Sequence, residues 1–146
     1  MTAQTNMERS RAVHAAFSQN HYDDVLALAA DDIEVVAYAI GQTFHGKQQF
    51  RDFMLGFKSA MPDLVIAHTN TVAVDEQVVL EFVATGTHTG PLMTPAGAVP
   101  PSGNRVTLNV IEVHQWRDSK LRRIVNYQDA MSLLAQVGAL PAPAGL

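Results

Sequence analysis

Arg105-Val106-Thr107-Leu108-Asn109-Val110-Ile111-Glu112-Val113-His114-Gln115-Trp116 alternates small apolar and polar side chains, and Leu121-Arg122-Arg123-Ile124-Val125-Asn126-Tyr127-Gln128 follows after a polar break. The pair reads as a long β-hairpin. Strands send alternate side chains to opposite faces, so Val106, Leu108, Val110, Glu112, His114 and Trp116 share one face. A carboxyl and an imidazole interrupt an otherwise apolar surface, and they are the residues that call for a function. A three-residue loop, Arg117-Asp118-Ser119, suits the connection. It pairs Trp116 with Lys120, His114 with Arg122, Glu112 with Ile124 and Val110 with Asn126, and puts the even positions of both arms on one face. A two-residue turn would reverse that assignment. Asp129 then caps a last helix, Ala130 to Val137, stopped by Gly138.

Upstream, Asn6 suits an N-cap. Met7, Ala12, Val13, Ala16 and Phe17 recur at helical spacing and predict a helix over 7–18. A second helix is expected over 22–29, with Asp23 and Asp24 in its first turn, where the dipole favours acids. Residues 33–38 read as a strand ending at Tyr38, and 41–46 as a loop carrying Phe44 and His45. A third helix is expected over 47–60, with Phe50, Phe53, Met54 and Phe57 on its apolar side. Pro62 ends it by disfavouring helical geometry at Met61. Residues 64–74 and 78–88 read as strands rich in Val, Thr and Ile. In the second, Val78, Leu80, Phe82 and Ala84 line one face and lead to His88. Residues 89–103 hold four prolines and three glycines and read as a long loop, of a length that often serves as a lid. Helices followed by strands indicate α+β: helices on one face of a mostly antiparallel sheet, with a pocket between them. One domain is expected over 1–146, with a loose tail from about 139.

Composition narrows the function classes. The chain has 146 residues, 47% of them hydrophobic, and a formal net charge of −4. A nucleic-acid binder would carry a basic patch, and none stands out. Without cysteine there is neither disulfide nor thiolate metal site. No run approaches the roughly 20 apolar residues that span a bilayer, and the N-terminus lacks the layout of a signal peptide. A soluble, cytoplasmic protein is expected, with no nucleic-acid or membrane partner.

Three local matches fit this outline. Met61-Pro62-Asp63-Leu64 resembles the Phe-Pro-Asp-Leu that precedes a strand in SnoaL-like polyketide cyclases. Gly86-Thr87-His88-Thr89-Gly90 resembles that family's Gly-Thr-His-x-Gly loop. Asp129 to Gly138 is similar to its C-terminal Asp-x-x-x-Leu-Leu-x-Gln-Leu-Gly. The resemblance, to the SnoaL-like branch of the NTF2-like superfamily, implies a cone: three N-terminal helices on a curved sheet around an apolar pocket, a short C-terminal helix, and a homodimer through the outer sheet face. Some machinery of the superfamily is missing. The position of the steroid-isomerase base falls near Ala37. Phe82-Val83-Ala84 replaces the Arg-x-Asp of limonene-type epoxide hydrolases. His114 suits the cyclase histidine, whereas the cyclase aspartate falls at either Asp129 or Asn126.

The candidate catalytic residues are therefore His114, Glu112 and Asp129. Burial would raise the pKa of Glu112 and make it a neutral donor, or, if charged, it would orient His114. Asn126, Gln128, His88, His45, Tyr38, Trp116 and Phe82 are the candidate substrate contacts. His14 and His21 read as surface or helix-end residues, and His68 is undecided. No histidine spacing matches a metal motif, so neither metal nor cofactor is expected. The expected activity is cofactor-free acid/base catalysis on a small apolar carbonyl compound, of intramolecular aldol type. The alternatives are a non-catalytic apolar-ligand-binding or dimerisation module, and an isomerase or epoxide-hydrolase-like hydrolase.

Overall fold

The computed structural model describes residues 2–140; most of the expected loose tail lies outside them. The elements run α1 (Ala3–Ser18), α2 (Tyr22–Leu28), β1 (Ala29–Ala37), a 3-10 turn (Tyr38–Ile40), β2 (Gln42–His45), α3 (Gly46–Ala60), β3 (Val65–Val74), β4 (Gln77–Thr87), β5 (Leu92–Thr94), β6 (Gly97–Val99), β7 (Arg105–Arg117), β8 (Lys120–Gln128) and α4 (Ala130–Gln136). Six strands form one sheet in the order β2-β1-β8-β7-β4-β3. All neighbours are antiparallel except β1 and β8. The first three helices cover one face, burying Val13, Phe17, Phe50, Phe53 and Met54 against Leu80, Phe82, Val110 and Ile124. This is the expected α+β architecture of helices on a curved, mostly antiparallel sheet.

Several local expectations change. Thr2, not Asn6, caps α1, accepting from the Thr5 amide at 3.1 Å; Asn6 is instead fully buried, its Nδ2 donating to the Asp75 carbonyl. The loop expected over 41–46 contains β2, which pairs with β1 and buries Phe44. The long loop over 89–103 carries the small β5–β6 hairpin, anchored by buried Leu92. Its two short strands lie among the prolines and glycines that masked them.

The central hairpin keeps its predicted faces by a different route. Its turn has two residues, Asp118 and Ser119, both left-handed (φ 49° and 66°), the conformation that matches strand twist. The pairs are Arg117 with Lys120 and Trp116 with Leu121, then Gln115 with Arg123 across a register shift. The extra residue on β8 restores the parity that the shorter turn would have reversed. Glu112 therefore faces Asn126, His114 faces Ile124 and Val110 faces Gln128. Every even residue from Val106 to Trp116 is buried.

The family-like motifs tie elements together. The Asp63 carboxylate accepts from the Thr87 amide at 2.6 Å and from its hydroxyl at 2.9 Å. Those bonds hold its carboxyl below the usual carboxylate range. Gly90 lies so close to α3 that a Cβ there would meet the Ser59 carbonyl at 1.9 Å. Gln136 on α4 bonds both the amide and the carbonyl of Thr107 on β7.

Candidate active site

Glu112 lies at the floor of a pocket between the sheet and helices α1 and α3. The walls are largely apolar, with Phe17, Phe50, Phe53, Phe57 and Phe82 among them; His14, Glu112, Asn126 and Gln128 are the polar groups. The free volume is about 60 Å³, against the roughly 10–15 Å³ that one water needs, so a small organic group fits without rearrangement.

The Glu112 carboxylate is surrounded by donors. His14 Nε2 lies 2.7 Å and His114 Nε2 3.0 Å from Oε1, and Asn126 Nδ2 donates to Oε2 at 2.7 Å. Trp116 Nε1 donates to Ser10 Oγ at 2.8 Å, which frees the Ser10 hydroxyl to donate to His114 Nδ1, also 2.8 Å away. The network thus assigns the His114 hydrogen to Nε2. Beyond His14, its Nδ1 meets His68 Nε2 at 2.8 Å, with the two rings stacked at 5.0 Å.

Of the two states expected for Glu112, this geometry favours the charged one. Burial pushes its carboxyl up, but hydrogen bonds from His114 and His14 outweigh that and hold it well below the usual carboxylate range. It is an ionised acceptor, not a neutral donor. Burial pushes His114 down, with Glu112 opposing. His68 is pushed down to about 4 by burial and by the neighbouring His14, Arg11 and His114. His14 Nε2, the Glu112 carboxylate and His114 Nε2 are metal-ligand atom types within 4.8 Å of one another. They come from two different elements, so no spacing within one strand or helix announced them.

The model of the SnoaL-like polyketide cyclases matches residues 8–137. The chain belongs to that family. Solved structures share the fold of this SnoaL-like chain. A candidate SnoaL-like polyketide cyclase from Jannaschia sp. CCS1 is 20% identical, with TM-score 0.85, over 95% of each chain. AclR, a candidate hydroxylase from Streptomyces galilaeus, is 22% identical with TM-score 0.83, over 98% of this chain and 91% of its own. IdmH, a candidate polyketide cyclase from Streptomyces antibioticus, is 19% identical with TM-score 0.78, over 91% and 98%. No curated protein matches the sequence.

The remaining sequence-derived candidates divide sharply in this SnoaL-like pocket. Phe82, Asn126 and Gln128 line it. His114 and Trp116 sit behind the wall, fully or almost fully buried. Asp129 caps α4, accepting from the Ser132 amide at 3.2 Å, away from the Glu112 cluster. His88 is buried elsewhere, its Nδ1 bonded to the Ser102 amide and facing the Ser102 hydroxyl. His45 precedes α3 with an exposed side chain. Tyr38 is 58% exposed and packs on Tyr127. His14 and His68 were missed. The signal was present: Asn6, Ser10, Val13, His14 and Phe17 form one helical stripe, and all five are buried. Three are polar, so hydrophobic periodicity did not select that face.

Proposed function

We propose that the protein catalyses proton transfer on a small apolar carbonyl compound by general acid–base catalysis, in an intramolecular aldol cyclisation. The observation that carries this reading is an ionised Glu112 at the floor of an apolar pocket. A carboxylate offers about four lone-pair positions. His14 and His114 take two on Oε1, and Asn126 takes one on Oε2. The last, on Oε2, is the acceptor position; the hydrogen bonds that hold Glu112 well below the usual carboxylate range make it a weak base, matched to a carbon already acidified by two flanking carbonyls. It takes a proton from that carbon. The resulting enolate adds to another carbonyl of the same molecule, and the proton returns to the alkoxide formed. Asn126 Oδ1 is buried without a partner and accepts a hydrogen bond from a ligand hydroxyl. Gln128 offers an amide donor to the carbonyl oxygen. Family membership and two solved neighbours described as candidate polyketide cyclases support the reaction class.

Turnover of a panel of small polycarbonyl compounds tests the reading. Glu112→Gln keeps the shape and removes the base, and is expected to lower the rate by about 10²–10⁴-fold. Unchanged turnover in that variant would sink the mechanism. Saturable binding of the panel with no turnover would instead favour an apolar-ligand-binding module.

A further inference from the structure

We propose that His14 Nε2, the Glu112 carboxylate and His114 Nε2 form a site for one divalent first-row transition ion, its open side turned toward the apolar cavity. The inference uses the same residues as the acid–base reading but not the reaction itself. All three residues are buried, and the ligand atoms lie within 4.8 Å of one another. Nitrogen and carboxylate oxygen bind zinc at about 2.0–2.2 Å, so atoms sharing an ion lie about 3–4 Å apart. The two Glu112 contacts, 2.7 and 3.0 Å, need to open only slightly, and the two ring nitrogens to approach each other by up to about 1–2 Å.

The surroundings are those a metal site requires. Ligating histidines almost always bond through their other ring nitrogen, which fixes the ring. Here His14 Nδ1 meets His68 Nε2 and His114 Nδ1 meets Ser10 Oγ, each at 2.8 Å. Ser10 is itself held by Trp116, and Asn126 holds the second carboxylate oxygen. Without an ion, both rings carry hydrogen on Nε2. Coordination needs that lone pair, so the hydrogen must move to Nδ1. A hydroxyl and an imidazole both accept as readily as they donate, so Ser10 and His68 serve either tautomer and no net proton need leave.

Charge points the same way. Glu112 is 6% exposed, and its ion-pair partners among the described residues are the two imidazoles alone. A buried anion without a fixed cation is costly. His14 and Glu112 line the cavity and His114 stands behind them. The vacant position of the ion therefore faces the cavity beside Asn126, whose Oδ1 is buried and unpaired. Two imidazoles and a carboxylate with an open position suit Zn²⁺, Fe²⁺ or Co²⁺.

Chelator-stripped protein is titrated with Co²⁺, followed by visible absorption, and with Zn²⁺, followed by calorimetry. One ion per chain is expected, with the cobalt absorption abolished by zinc. His14→Gln and Glu112→Gln should remove the signal. Ser10→Ala should weaken affinity by about 10–100-fold through the outer contact, with circular dichroism confirming the fold. If Glu112→Gln does not fold, His14→Gln and Ser10→Ala carry the test. No saturable binding up to millimolar metal would overturn the proposal. So would affinity unchanged in His14→Gln, which would assign the ion to exposed histidines such as His21 and His45. A protein that binds no ion yet loses turnover in Glu112→Gln would refute this inference alone. One that binds the ion while Glu112→Gln retains turnover would refute the acid–base reading alone.

Discussion

Asn126 shows what a single residue contributes at this site. Its Nδ2 donates to Glu112 Oε2, while its Oδ1 has no partner. Asn126→Ala removes a donor from a buried carboxylate, which costs about 1–3 kcal/mol. The expected outcome is a lower urea midpoint together with weaker ligand binding, since the acceptor disappears as well. An unchanged midpoint would mean that Glu112 recruits another donor. Parity alone brought Glu112, His114 and Asn126 to one face of the hairpin, because alternation survives errors in the turn. It could not supply the state of Glu112, which depends on His14 arriving from a helix 98 residues away in sequence. Desolvation was the visible half of the argument and hydrogen bonding the hidden half. Similarly, Asp129 had two readings in the sequence, acid or cap, and its bond to the Ser132 amide puts it in the cap.

At the scale of elements, the motifs that resemble the family join secondary structures and lie apart from Glu112. Asp63 links the end of α3 to β4 through Thr87, and Gly90 lets the following loop approach α3. Gly90→Ala would drive a methyl group into the Ser59 carbonyl. A loss of about 1–3 kcal/mol or more is expected, measured by urea denaturation; ligand binding by the variant that remains folded should be little affected. A loss below 0.5 kcal/mol, well under that range, would show that the loop shifts freely. Sequence patterns identified every helix and the long strands, since their periodicities run over many residues. They missed β2, β5 and β6, which have three or four residues each, too few to display a period. The hairpin register was missed by two residues because a shorter turn and a bulge each shift it by one; together they restore the parity of the faces and so leave no mark in the apolar pattern.

At the scale of the whole molecule, two surfaces of the sheet behave differently. The outer face exposes Val65, Val72 and Val74 on β3, Ile111 on β7 and Tyr127 on β8, each 42–64% accessible. A homodimer, as the family resemblance implies, would use this face. Sedimentation is expected to give twice the chain mass, and Ile111→Glu to shift it to the monomer; a wild-type monomer at micromolar concentration would reject the interface. The inner face governs the response to acid. Burial first, then neighbouring positive charge, depresses His68 to about 4 from 6.5, and burial depresses His114 in the same direction. Below pH 6.5 the unfolded chain therefore binds more protons than the native one, so native stability falls as pH falls toward the folded values. Glu112 and Asp63 are held below their ordinary 4.5 and 3.8. Their contributions are complete above those values and are lost as pH drops through the folded ones. All four groups act with the same sign. The urea midpoint should decline in two stages on acidification, a shallow one beginning near pH 6.5 and a steeper one below about 4.5. His68→Gln removes one depressed imidazole and should flatten the first stage while leaving the second. A midpoint independent of pH between about 7 and about 4 would show that these imidazoles gain their protons without cost, and that the network around Glu112 accommodates positive charge.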